Sequence, residues 1–157
     1  MKKKLLIVIF ILSSLTSNLI SIEPDIFVQS TVNRASKILS DNTTKDEKMN
    51  GLRLIATDTV DIKGIGFYTL GAARKNLSNE EKDKYTTLFN EYFLKSFSSR
   101  LAEYTNPEID VNNKEVLNEN YTMVNSVLKG NDKRPEIKID WRIYTKDPKK
   151  PLIRDLV

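Results

Sequence analysis

The apolar positions along the chain follow two rhythms, a helical one before Pro107 and an alternating one after it. Val28, Val32, Ala35 and Leu39 recur at steps of three and four, and Phe27 and Ile38 widen the stripe. Glu23-Pro24-Asp25 sets a proline where a first helical turn tolerates it, so a helix is predicted from there to Asp41 and Asn42. Thr44 and Glu47 form a capping box, in which each side chain satisfies an N–H that the start of a helix leaves free. Met49, Leu52, Ile55 and Ala56 give the apolar face of the helix that follows. Residues 57–71 are interrupted by Gly64 and Gly66 and predict one or two short helices with a bend at those glycines. A second capping box, Ser78 and Glu81, opens the strongest helical pattern of the chain. There Tyr85, Leu88, Phe89, Tyr92, Phe93, Phe97, Leu101 and Tyr104 follow at steps of three and four until Pro107 stops the helix. Beyond Pro107 the period is two: Ile109 and Val111, then two interleaved rows, Tyr121, Met123 and Val127 against Val124 and Leu128. Gly130-Asn131-Asp132 reads as a turn. Ile137, Ile139, Trp141 and Ile143 then alternate with Lys138, Asp140, Arg142 and Tyr144, a strand with one buried face. Residues 146–151 turn again and residues 152–157 begin a further strand. Helices first and an antiparallel meander of three or four strands afterwards predict an α+β domain, with the sheet packed on the helices.

The N-terminus changes the picture of where this domain works. Lys2, Lys3 and Lys4 precede an apolar run over residues 5–12, and small and polar residues follow. Those are the three parts of a secretory signal. The run is shorter than the roughly 20 apolar residues needed to cross a bilayer. The expectation is a cleavable signal over residues 1–21, cut after Ser21, and a single domain over residues 22–157, with an uncleaved anchor as the alternative. The chain has no cysteine, which excludes a lipid-modified cysteine anchor and any disulfide staple. The formal charge of +4 includes the three lysines at positions 2–4, so the remainder carries +1 and gives no nucleic-acid signal. The basic cluster KDPKK at residues 146–150 reads as a solvated turn, with a contact to an anionic surface as the lesser reading.

The chain also lacks histidine, so the usual general base, the usual zinc ligands and a thiol nucleophile are all missing. Asp58 and Asp61 could share a helix face, but a helix cap and a surface ion pair account for them more simply. Gly64-Ile65-Gly66 is not a phosphate loop, because the third glycine of that pattern would fall at Thr69. No catalytic residue, metal ligand or cofactor site is expected, and the chain does not read as an enzyme.

The segments FVQSTVNRASKIL, VDIKGIGFYTLG, YTTLFNEYFLKSFSSRLAEY, IKIDWRIY and LIRDLV follow one another in an order that resembles the MlaC proteins. These are also called toluene-tolerance auxiliary proteins. The aspartate ahead of a bend ending in LG, then S-x-x-E and an F-x-x-Y-F helix, carries most of the likeness, which covers essentially all of residues 22–157. The resemblance implies a periplasmic carrier of phospholipid with a helical layer over a twisted sheet and a deep apolar pocket for acyl chains. As partners it implies an inner-membrane lipid ABC transporter complex and an outer-membrane lipoprotein complex. A pocket of that kind would lie between the helices and the inner face of the sheet. Phe67, Leu70, Phe89, Phe93, Val124, Ile139 and Trp141 are the candidate lining residues, with ordinary core packing as the competing reading of each. In the family pattern a further strand and closing helices follow the last segment, whereas this chain stops at Val157, so the resemblance implies a C-terminally truncated member. A ligand-free adaptor of the same fold, and a truncated non-functional relative, are therefore the alternatives.

Overall fold

The structure is a computed structural model that describes residues 21–132 and 134–157. The expected signal segment lies outside the described residues except for Ser21. Among the described residues no helix is long and apolar enough to cross a membrane. Helix α1 (Pro24–Ser40) begins on the proline and ends at Asp41. Helix α2 (Lys45–Thr59) opens on the Thr44–Glu47 capping box, and helix α4 (Asn79–Leu101) on the Ser78–Glu81 box. In both boxes the glutamate accepts the cap residue's own N–H, at 2.8 Å for Thr44 and 2.7 Å for Ser78. Four strands follow, β1 (Ile109–Asn118), β2 (Tyr121–Leu128), β3 (Ile137–Tyr144) and β4 (Leu152–Leu156). They form one antiparallel sheet in the order β1-β2-β3-β4, the expected meander. The α+β architecture is thus the one the two rhythms predict.

Between α2 and α4 the outcome differs from expectation. Gly64 and Gly66 do not mark a bend; they lie inside helix α3 (Ile62–Thr69). The Asp61 side chain accepts the Gly64 N–H at 2.9 Å and so caps this helix, which offsets the poor helical propensity of its glycines. A Cβ on Gly66 would stand 2.8 Å from Cδ1 of Phe89, so a glycine is needed there for α3 to approach α4. The actual break comes at Gly71, where φ is +52° and the chain passes into a 3-10 turn over Gly71–Lys75. Helix α4 also ends earlier than Pro107: it stops at Leu101, leaving Tyr104 outside, under the guanidinium of Arg134 at 4.2 Å.

The core sits where α1, α2 and α3 meet the inner face of the sheet. Val28, Val32, Ala56, Val60, Ile62, Val124, Trp141, Ile143 and Ile153 form one buried cluster. On the sheet the inward row of β2 is Thr122, Val124, Ser126 and Leu128, opposite Ile143, Trp141, Ile139 and Ile137 of β3. Two ties position the helices on this face. Along β1, the Gln29 side chain of α1 accepts the Val111 N–H at 3.2 Å and donates to the Ile109 carbonyl at 3.5 Å. At β4, the α2–α3 corner pairs with the strand through Val60 and Ile153, and the Asp61 N–H donates to the Ile153 carbonyl at 2.9 Å. Asp61 also forms an ion pair with Arg154, whose guanidinium lies 4.4 Å from the Tyr144 ring.

Candidate functional site

Helices α1 and α2 diverge from the sheet far enough to leave an apolar cavity of about 160 Å³. Val32, Ala35 and Leu39 of α1 and Leu52, Ile55 and Ala56 of α2 form one wall. Phe97 and Leu101 from the end of α4 close a second, and Ile109, Leu128, Ile139, Trp141 and Ile153 form the sheet side. No charged side chain lines this space among the described residues. Three hydroxyls at its margin are already engaged: Thr31 donates to the Phe27 carbonyl and Thr59 to the Ile55 carbonyl, each at 2.8 Å. Ser36 donates to the Pro107 carbonyl at 2.9 Å. A group entering the cavity therefore meets mostly carbon and no charged side chain, an environment that favours a hydrocarbon and penalises a charge.

The seven residues singled out from the sequence do not gather in one place. Ile139 and Trp141 line the cavity. The Trp141 indole N–H donates to Ser126 Oγ at 2.7 Å, and that hydroxyl donates to the Ile139 carbonyl at 3.2 Å, so the ring's orientation is fixed from behind. Val124 is fully buried in the core as the cross-strand partner of Trp141 and does not line the cavity. Phe89 and Phe93 stand outside it as rungs of an aromatic ladder along α4. Tyr85, Phe89, Phe93 and Phe97 stack at successive centroid distances of 5.9, 6.1 and 5.6 Å. The last rung, Phe97, is the one that reaches the cavity. The first, Tyr85, is held to α3 by a 2.8 Å hydrogen bond with the Thr69 hydroxyl. Phe67 lies half-buried on α3 beside the Lys63 ammonium, and Leu70 caps the end of that helix; neither lines the cavity.

Sequence reasoning missed most of the helical wall, Val32, Leu39, Leu52 and Ile55 included, because core and cavity share one pattern of apolar residues at helical spacing. A usable signal was size. Ala35 and Ser36 on α1 and Ala56 on α2 are small residues within the helical wall, and small side chains are what leave space between packed layers.

The carboxylates do not converge on this space. Asp58 pairs with Arg34 at 2.9 Å on the surface, and Asp61 caps α3 and pairs with Arg154. The Lys114 ammonium donates to Asp25 at 2.7 Å and holds that carboxyl below its ordinary value, while Asp25 and then Glu23 hold the lysine above its own. These are ties between α1 and β1, remote from the cavity lining.

A family model described as "MlaC protein" matches residues 29–157. Among curated protein sequences none matches. Among solved structures, the chain is similar to a phospholipid-binding protein from Ralstonia solanacearum in complex with a phospholipid. That likeness has a TM-score of 0.69 at 13% identity and covers 86% of this chain and 77% of that one.

Proposed function

The chain belongs to the MlaC family, and from that premise we propose that it is a periplasmic carrier that holds phospholipid by its acyl tail and moves it between the outer and inner membranes. The observation that carries the reading is the uncharged cavity between helices and sheet. The phospholipid complex of the similar Ralstonia protein supports it. Each methylene moved from water into such a space contributes about 0.8 kcal/mol, so binding needs no polar anchor, and the headgroup can stay in water. An apolar cavity near 160 Å³ is the size that takes a benzene-sized ligand, so as it stands it holds only the end of a tail. The Phe97–Phe93–Phe89 ladder supplies the continuation: it leads away from the cavity along α4, which packs chiefly on α2 and α3. A longer tail is accommodated by a small outward swing of α4 that opens this aromatic track. In this reading Phe89, Phe93, Ile139 and Trp141 touch lipid, and Val124 supports Trp141 from the core. Residues 1–21 serve as the export signal, the transporter and lipoprotein complexes of the two membranes are the docking partners, and the protein performs no catalysis.

The test is to purify residues 22–157 without detergent and to measure bound phospholipid by native and extract mass spectrometry. Stoichiometric phospholipid is the expected result. A folded protein free of lipid overturns the carrier reading in favour of a ligand-free adaptor of the same fold.

A further inference from the structure

A second recess, of about 340 Å³, opens beside the cavity where the start of α1, the end of α2 and the β3–β4 turn meet. Ile22, Ile26, Arg34, Lys149 and Lys150 are among its lining residues. Thr31 and Thr59 line both this recess and the apolar cavity, so those two residues are the shared wall between them. The turn is held against α1, since the Ile22 N–H donates to the Pro148 carbonyl at 2.8 Å. Two features of this face bear on what it could meet. Ile26 is 63% exposed and Ile22 39% exposed, side by side at the rim. Around them, Lys149 and Lys150 form no ion pair among the described residues; the Asp147 carboxylate accepts the Lys149 backbone N–H at 2.9 Å, and the Asp147 backbone carbonyl the Lys150 N–H at 3.1 Å. Arg34 and Asp58 cancel each other's charge at the recess. Glu23 and Asp25 are taken up by Lys114 of β1. Lys37 extends the same α1 face along a neighbouring groove shared with Ile26 and Arg34.

We propose that this face is the surface on which the protein settles onto an anionic phospholipid bilayer. Ile22 and Ile26 enter the interface, and the Lys149, Lys150 and Lys37 ammonium groups rest on lipid phosphates. Exposed isoleucines ringed by unpaired lysines match the vertical order of a membrane surface, charge above hydrocarbon. An acidic protein surface would satisfy the lysines but leave the isoleucines unaccounted for. Seated this way, the protein brings the Thr31–Thr59 wall over the bilayer, so a tail leaving the membrane has the shortest path to the apolar cavity. The inference rests on the carrier reading and adds to it the side from which lipid is collected.

Residues 22–157 carry every described helix and strand and the whole buried cluster, so they suit a vesicle sedimentation assay. Vesicles of phosphatidylcholine are compared with and without phosphatidylglycerol. Partition onto the anionic vesicles is expected, and the Lys149→Gln/Lys150→Gln pair should lower it about 25-fold, near five-fold for each cation lost at an anionic surface. Ile26→Asn should lower it as well. A Lys84→Gln/Lys95→Gln pair on α4, equal in net charge, should leave it unchanged. Equal partition onto uncharged vesicles, equal loss in the α4 pair, or no loss in the Lys149/Lys150 pair overturns the proposal and leaves the face to a protein partner. Lipid content is measured on the same samples and separates the two ideas. A Lys149→Gln/Lys150→Gln protein that retains lipid but loses the parent's vesicle partition upholds both, while vesicle partition by a parent that carries no lipid upholds the docking face and sinks the carrier reading.

Discussion

The tail cavity can be challenged by filling it. Ala35 lines it between Val32 and Leu39 of the same helix, and Ala35→Leu adds three carbons on that side. At about 0.8 kcal/mol per methylene removed from water, the new side chain contributes about 2 kcal/mol to the lipid-free protein as an upper figure. A tail loses a similar amount, because the carbons it would have placed there are displaced. The two effects have opposite signs, and that is the signature: lipid affinity should fall about 30-fold while the lipid-free form gains several degrees in Tm. General damage to the fold would lower both. The assay is phospholipid per protein by extraction and mass spectrometry, together with thermal unfolding of delipidated parent and variant. A variant that keeps its full complement of lipid refutes the cavity as the tail site. A variant whose lipid-free form is less stable refutes the claim that the space beside Ala35 is open.

Three further outcomes follow from the same geometry. Ser126→Ala removes the acceptor for the buried Trp141 indole N–H and should cost about 1–3 kcal/mol by urea unfolding, against a near-zero change for the exposed Ser30→Ala. Gly66→Ala places a Cβ 2.8 Å from the Phe89 ring and should cost about 1–3 kcal/mol, relieved in part when combined with Phe89→Leu. Acid should weaken the fold. Thr44 in the first box, Ser78 in the second and Lys114 beside Asp25 hold the Glu47, Glu81 and Asp25 carboxyls below their ordinary values. A depressed carboxyl contributes stability above its unfolded value, 4.5 for the glutamates and 3.8 for the aspartate, and loses it as pH falls through the folded one. The urea midpoint should thus be level near neutrality and decline below pH 4.5, less steeply in Glu47→Gln/Glu81→Gln; equal slopes in the two proteins would count against this account.

What the sequence made legible, it did through local chemistry. The two capping boxes begin α2 and α4 where Thr44 and Ser78 stand, because such hydrogen bonds close within one turn and need no tertiary partner. The alternation of Ile139, Trp141 and Ile143 locates β3 for the same reason: side-chain period is a property of the strand itself. Where the sequence misled, a distant residue decided. Gly64 and Gly66 look like a bend, yet Asp61 caps the helix through them, and the second glycine answers to Phe89 more than twenty positions on. Pro107 looks like the end of α4, yet that helix stops at Leu101. The cavity was the least legible part, since an empty volume is set by how three layers fail to meet and leaves no mark in any one period. Ile139 and Trp141 line it and Phe89 and Phe93 lead towards it, while Val124 belongs to the buried cluster beside it and Phe67 and Leu70 stand apart on α3.

The Gln29 side chain has a consequence for how this protein keeps company with itself. An outer strand normally exposes a row of free N–H and C=O groups, an open template on which another chain can add a strand. Gln29 offers β1 a donor and an acceptor from a single side-chain amide, and so imitates one residue of a strand that is not there. At the opposite margin the Val60–Ile153 bridge and the Asp61 N–H occupy part of β4 in the same manner. The sheet is thus stoppered at both margins by helical segments that precede it in the chain. Copies of the protein brought together at high concentration find little free ladder at those points on which to polymerise, and a Gln29→Ala chain should be the one that begins to form fibrils first.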